Sequence, residues 1–291
     1  MTVTVATVAQ GRVVQRDGCE QIVPWWSFTK TVLAAAALAL VRDGRLHLDD
    51  RVQGRSFTLR QLLQHRAGVA NYGGLAAYHR AVDNDEEPWS VPDLLRKADA
   101  GELLFAPGEG WDYSNIGYLF VRQMIETACG ASLDDALQRL IFHPLDIHGP
   151  RIAMTRDDLA AVAMGAAGSY HPGWVYHGLL VGRLDHAALT LDRLLTTDLL
   201  PRHLRDAMCA AHPLGGPLQG RPWQTTGYGL GLMIGTGPVG QKVLGHTGGG
   251  PGSTIAVYRN DESGCTAAAF LPVDDTNAVE SAAFDAVRPK S

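Results

Sequence analysis

The chain has 291 residues, 46% of them hydrophobic and 19% charged, with a formal net charge of −5. This balance belongs to a folded globular chain, and a net negative charge without any lysine or arginine run excludes a nucleic-acid surface. Cys19, Cys129, Cys209 and Cys265 stand far apart, with no C-x-x-C or His/Cys ligand spacing, so they are read as reduced and no metal or other cofactor is expected.

The opening "MTVTVATVAQGR" lacks the basic start, apolar run and small-residue cleavage site of an export leader. It alternates β-branched with small residues, and with "RVVQR" following it predicts a β-hairpin. The most apolar stretch, "TVLAAAALALV", is shorter than the roughly 20 residues a bilayer span needs. No membrane span is expected, and the chain reads as soluble and cytoplasmic. A helix is predicted from Ser27 to about Arg42, stopped at Asp43-Gly44. "LHLDDRV" is a connector, with Asp49 and Asp50 solvated. "TLRQLLQHRAG" offers a threonine N-cap, a short amphipathic helix and a glycine stop. Residues 70–110 are rich in turn formers, with a helix at "SVPDLLRKADAG". From Asn115 to Leu140 two helices are expected, broken at "CGAS", and another covers "DHAALTLDRLLTTDLL".

After Gly227 the pattern changes. "YGLGLMIG", "KVLGHTGG", "STIAVYRN" and "TAAAFLPV" are strand-like runs between turns, and "NAVESAAFDAV" closes as a helix. Strands at both ends with helices between predict an α/β (α+β) fold. Residues 1–50 and 226–291 would form an antiparallel sheet flanked by helices, residues 51–225 an inserted, mainly helical lobe, and the active site would lie between them.

Three short motifs occur in order: "SFTK" at 27–30, "YSN" at 113–115 and "HTGG" at 246–249. Singly each has a plain explanation. Ser27 can be an N-cap, "DYSN" a turn entering a helix, and "HTGGGPG" a hairpin loop. Together, and with their flanks, they resemble the class C β-lactamase and DD-peptidase family of serine hydrolases. The flanks that carry the likeness are "TLRQLLQHRAGV", "PGEGWDYSNIGYLFVRQMIE" and "YGLGLMI" before "GHTGGGPG". The likeness covers nearly the whole chain and is weakest over 165–225.

The resemblance implies a β-lactamase/penicillin-binding-protein-like fold and an acyl-enzyme on Ser27, formed from an ester, amide or β-lactam. Residue chemistry agrees with the implied roles. Serine needs a neighbour to take its proton, and Lys30 stands one helical turn on. Tyr113 is the expected partner, a phenol that ionises more easily beside an ammonium, so that it acts as base in acylation and returns the proton to the leaving group. Asn115 is placed to bond Lys30 and the substrate. The N–H groups of Ser27 and Gly249 would form the oxyanion hole, with Gly248 allowing close approach. His246 replaces the lysine common in β-lactamases and, being largely neutral, weakens recognition of a substrate carboxylate. Thr247 could still bind a polar substrate group. Members with histidine here include DD-peptidases, esterases and amidases, and an acyltransferase or a silent acyl- or peptide-binding protein would share the framework.

His65 reads as a structural turn residue, and His171, His177 and His186 lack ligand spacing. In the segment least like the family, Trp174 and Tyr176 are the candidates for substrate-facing residues. An ester or amide is favoured over a β-lactam, and the oligomeric state is not legible.

Overall fold

The computed structural model describes residues 2–15 and 18–289. Its strands are β1 (Thr4–Ala9), β2 (Arg12–Gln15), β3 (Ile22–Pro24), β4 (Arg151–Ala153), β5 (Leu179–Arg183), β6 (His212–Gly215), β7 (Thr225–Tyr228), β8 (Met233–Thr236), β9 (Lys242–Gly250), β10 (Ser253–Asn260) and β11 (Cys265–Leu271). Its α-helices are α1 (Thr29–Arg42), α2 (Leu59–Leu63), α3 (Ala76–Asp83), α4 (Val91–Lys97), α5 (Asn115–Cys129), α6 (Leu133–Leu137), α7 (Leu184–Thr196), α8 (Arg202–Cys209) and α9 (Thr276–Ala286).

The large sheet has the order β2-β1-β11-β10-β9-β8-β7-β6, with every neighbour antiparallel. The first and last parts of the chain meet towards the β2 edge of the sheet, where Thr4 of β1 pairs with Phe270 of β11. Strand alternation divides the two faces. Ala267, Ala269 and Leu271 pack with Val279, Ala283 and Phe284 of α9. Ala268 and Phe270 join the main core, which holds α1 and α7. The alanines of "TAAAF" keep both helices close to the strand.

Helix α1 is buried from Thr29 through Leu40. A helix apolar all round belongs in an interior, and its alanine run lets several elements approach at once. It ends at Asp43-Gly44, with Gly44 at φ +68°. Its start differs from expectation. The α-helix begins at Thr29 after a 3₁₀ turn over Trp26–Phe28, and no side chain caps either element. Ser27 is therefore not an N-cap, and its hydroxyl is available for other partners. By contrast, Thr58 is the N-cap expected for the next helix, and Gln61 completes a capping box with it.

The expected division into a sheet domain and a helical lobe is less sharp than the sequence implied. A second sheet of order β3-β5-β4 joins residues 22–24 with 151–153 and 179–183, across the expected boundary. Helix α7, placed in the lobe by sequence, packs against β1, β10 and β11. β6 and β7 extend the large sheet into 212–228. The cause is apolar surface: α7 buries Leu184, Ala187, Ala188, Leu191 and Leu194, and it packs mainly on the large sheet. Among the described residues no helix is long and apolar enough to cross a membrane.

Candidate active site

The backbone before the serine is bent. Trp26 has φ +39°, the left-handed region in which a bulky residue is costly by roughly 1–2 kcal/mol. Its neighbours hold it there. The indole Nε1 donates to Ser253 Oγ at 3.0 Å, and the ring meets Tyr170 edge-on at 5.6 Å. Strand β9 lies against this turn with no side chain between. A Cβ on Gly248 would fall 2.7 Å from Trp26 Cβ, and one on Gly250 would fall 2.5 Å from the Trp26 ring. The "WWS" and "GGG" segments thus fit as bulk against absence of bulk, and Ser27 is presented at the seam.

Lys30, wholly buried, reaches back one turn. Its Nζ lies 3.0 Å from Ser27 Oγ, 2.8 Å from Asn115 Oδ1 and 3.2 Å from His177 Nε2. It also stands over the Tyr113 ring, 4.9 Å from the centroid. Asn115 is oriented by Asn71, whose Oδ1 accepts from both the Asn115 backbone N–H and its Nδ2, each at 3.1 Å. That leaves Asn115 Oδ1 facing the lysine. The Tyr113 hydroxyl interacts with the Ser27 side chain.

Burial holds the Lys30 ammonium well below the usual lysine range, so the uncharged amine is the favoured form. Burial also pushes the Tyr113 phenol up, against the smaller opposite effect of its interaction with Ser27. Both shifts run towards the neutral forms, a lysine amine and a phenol, and away from the ammonium that the sequence reading placed beside Tyr113.

His65 is the turn residue the sequence suggested, at φ +57°, and its ring lies 4.3 Å from that of Tyr113. It also starts a hydrogen-bond chain whose direction is set by its two ends. The Ser114 backbone N–H donates to His65 Nδ1 at 3.1 Å, so His65 Nε2 carries the ring proton and donates to the Tyr228 oxygen at 3.2 Å. The Tyr228 hydroxyl donates to His246 Nε2 at 2.8 Å, and His246 Nδ1–H donates to the Thr247 carbonyl at 2.7 Å. Both nitrogens of His246 are used. Burial, the largest cause, pushes its pKa down to about 3. His246 contributes shape and a neutral ring to the site, not a cation.

Thr247 points to the other side of the strand. Its hydroxyl bonds Glu280, a fully buried carboxylate that Arg221 clasps through Nε (2.8 Å) and Nη2, and it lies 2.7 Å from the Tyr258 hydroxyl. A carboxylate only accepts, so the Thr247 proton is committed to Glu280.

Two recesses open on either side of Ser27, and Ser27 and Gly249 are the residues they share. One, of about 530 Å³, is walled by Tyr72, Tyr78, Tyr170 and Val175, with Asn115 and His177 near the serine. The other, of about 740 Å³, holds Tyr113, His246 and Thr247 beside Trp111, Leu214 and Trp223. Ser27, Lys30, Tyr113, Asn115, His246, Gly248 and Gly249 are thus brought together. Trp174 and Tyr176 are not: they are 1% and 5% exposed and stand behind the wall. Trp174 Nε1 donates to the Glu86 carbonyl and the Tyr176 hydroxyl to that of Trp89. Both rings gain more from burial than from facing a cleft, and their segment offers Val175 and His177 instead. Sequence reasoning missed His177, Asn71 and Tyr228 as site residues. Tyr228 begins the "YGLGLMI" flank, His177 and Asn71 lie outside every quoted motif, and only the fold brings them near the catalytic candidates.

A family model described as Beta-lactamase matches residues 2–286. The chain is 26% identical to Penicillin-binding protein 4* of Bacillus subtilis (strain 168) over 80% of its own length, spanning 56% of that protein. It is 27% identical to Lovastatin esterase of Penicillium rubens, over 85% of this chain and 79% of the esterase. Among solved structures, a D-stereospecific amidohydrolase from Streptomyces sp. superposes with a TM-score of 0.80 at 24% identity, covering 97% of this chain and 93% of that one. The D-amino acid amidase of Ochrobactrum anthropi SV3 gives 0.78 at 18% identity, covering 93% and 85%.

Proposed function

Since the chain belongs to the Beta-lactamase family, we propose that it is a serine hydrolase that forms an acyl-enzyme on Ser27 and cleaves an ester or amide. The observation that carries this is the placement of Ser27 Oγ, 3.0 Å from a buried lysine amine, at the junction of two recesses.

The Ser27 O–H bond breaks as its proton passes to Lys30 Nζ and Oγ bonds to the carbonyl carbon. The carbonyl π pair moves onto oxygen, to be met by the N–H groups of Ser27 and Gly249. Collapse expels the leaving atom, which takes a proton through the Tyr113 hydroxyl. Tyr113 lines only the larger of the two recesses, so the leaving group belongs there and the acyl group in the tyrosine-walled one. Water then attacks the acyl carbon as its proton passes to the same base, the bond from that carbon to Ser27 Oγ breaks, Oγ takes the proton back, and the carboxylic acid leaves.

Between substrate classes, the site favours uncharged esters and amides over β-lactams and cell-wall peptides, which carry a carboxylate. His246 is neutral with both nitrogens engaged, and the Thr247 proton is given to Glu280. The likeness to Lovastatin esterase supports the same reading. Steady-state kinetics on p-nitrophenyl butyrate, an amino acid amide and nitrocefin test this. The ester or the amide should show the largest kcat/KM, and a clearly larger value for nitrocefin would reverse the assignment.

A further inference from the structure

We propose that His177 is a positioning residue for the base, taking one N–H of Lys30 so that the lone pair of the amine is held on the Ser27 hydroxyl. The inference rests on Ser27 being the nucleophile and Lys30 its base.

An uncharged amine has two N–H donors and one lone pair in a tetrahedral arrangement about nitrogen. Three side chains face Lys30 Nζ: Asn115 at 2.8 Å, His177 at 3.2 Å and Ser27 at 3.0 Å. Asn115 presents its oxygen, because its Nδ2 is engaged by Asn71. If His177 Nε2 accepts the second N–H, the remaining direction is the lone pair, and it meets Ser27. Without His177 the amine can turn an N–H towards Ser27 instead, and the serine proton then has nowhere to go. After transfer the ammonium has three N–H groups. Asn115 and His177 hold two, and the third stays at Ser27 Oγ, ready to be passed through Tyr113 to the leaving atom.

This role requires His177 to remain unprotonated, and its surroundings enforce that. The titratable and charged groups facing it are Lys30 from α1, His65 from the turn after α2, Arg122 from α5 and His246 from β9. All are bases, and the ring is 3% exposed. With Nε2 accepting, Nδ1 carries the proton, and Nδ1 is buried with no partner among the described residues. Leaving a buried N–H unpaired is unfavourable for folding, which fits a residue kept for what its other nitrogen does.

The segment around His177 is anchored on both sides. Before it, the Tyr72 hydroxyl donates to the Trp174 carbonyl at 2.7 Å and Arg122 Nη1 to that of Tyr176 at 3.3 Å. After it, Gly178 turns the chain at φ +98°, where a Cβ would strike Leu133. Leu180 then bonds the nucleophile's own segment, accepting from Trp25 N at 2.8 Å and donating to Thr29 Oγ1 at 3.2 Å. Trp174 and Tyr176, buried behind the wall, are part of this mount.

The test needs no knowledge of the natural substrate. The second-order rate of fluorophosphonate labelling at Ser27 is measured against pH for the wild type, His177→Ala and His177→Gln, with thermal melts alongside. His177→Ala should label about tenfold more slowly or worse, with its acidic limb moved to lower pH, since the ammonium loses an acceptor. His177→Gln, whose amide oxygen can accept without titrating, should recover most of the rate and the limb. Labelling of His177→Ala at the wild-type rate would overturn the inference. So would a Gln variant that is folded yet as slow as Ala. A wild-type protein that is not labelled at Ser27 would instead remove the nucleophile reading beneath it, a different and separately visible failure.

Discussion

Gly248 faces the backbone of Ser27 so closely that a Cβ there would lie 2.6 Å from the Ser27 nitrogen, whereas one on exposed Gly249 would meet nothing nearer than 3.9 Å. The adjacent glycines therefore do different work. Gly248→Ala should push β9 away from the nucleophile and cost about 1–3 kcal/mol of stability along with activity. Gly249→Ala should leave the melting temperature nearly unchanged while hindering substrates at the cleft. Equal stability losses in urea unfolding of the two variants would contradict this difference.

Ser27→Ala should fold normally, with stability within about 0.5 kcal/mol of the wild type, because its hydroxyl caps no helix. The same variant should lose all fluorophosphonate or boronate labelling. Labelling that survives, read by intact mass, would show that another residue is the nucleophile.

Lys30→Ala and Tyr113→Phe should each lower kcat/KM by about 10² or more, and the double variant far less than the product of the two. The reason is that Lys30 Nζ and the Tyr113 hydroxyl both meet Ser27 and serve one proton path. Because burial lowers the lysine pKa, activity should persist through neutral pH and fall as pH drops through that value. Fully additive losses would mean two independent functions.

Acid should destabilise the fold through its buried histidines. His246 titrates near its ordinary value when unfolded and is pushed down to about 3 when folded. Between those values the unfolded chain binds the extra proton, so stability is full above about pH 6.5 and declines towards about pH 3. His65 and His177 are lowered in the same sense, also by burial first. A His246→Gln variant should show a shallower loss over this window, measured by urea unfolding at stepped pH. An unchanged slope would mean that His246 remains protonatable in the folded protein.

The Glu280–Arg221 pair should matter more when broken than when absent. Glu280 is fully buried and accepts from Arg221 and Thr247. Glu280→Ala should cost about 3–5 kcal/mol by leaving the guanidinium unpaired, and Arg221→Met with Glu280→Leu should recover much of it. A double variant as unstable as the single one would show that the pair itself, not the stranded charge, was being lost.

Much of this molecule was legible before folding was considered, and the legible part is local. Alternation marked β1, and strand-like runs between turn residues marked β9 to β11, because both signals are properties of neighbouring residues. The Thr58 N-cap and the Asp43-Gly44 stop were visible because caps span three or four positions. Ser27 and Lys30 could be paired on paper, one helical turn apart. The order of "SFTK", "YSN" and "HTGG" was enough for family resemblance.

What tertiary structure alone decided is everything set by approach between distant segments. The short strands β3, β4 and β5 have no pattern of their own and form only because each finds the others. Trp174 and Tyr176 looked like cleft residues because sequence shows hydrophobicity but not depth. His177, from a stretch with no motif, reaches Lys30 from 147 positions away. The charge states follow the same division. Composition places a lysine, a tyrosine and a histidine in the site, but only burial strips the lysine, protects the phenol and silences His246, because desolvation depends on what surrounds a group in space and not on what precedes it in the chain.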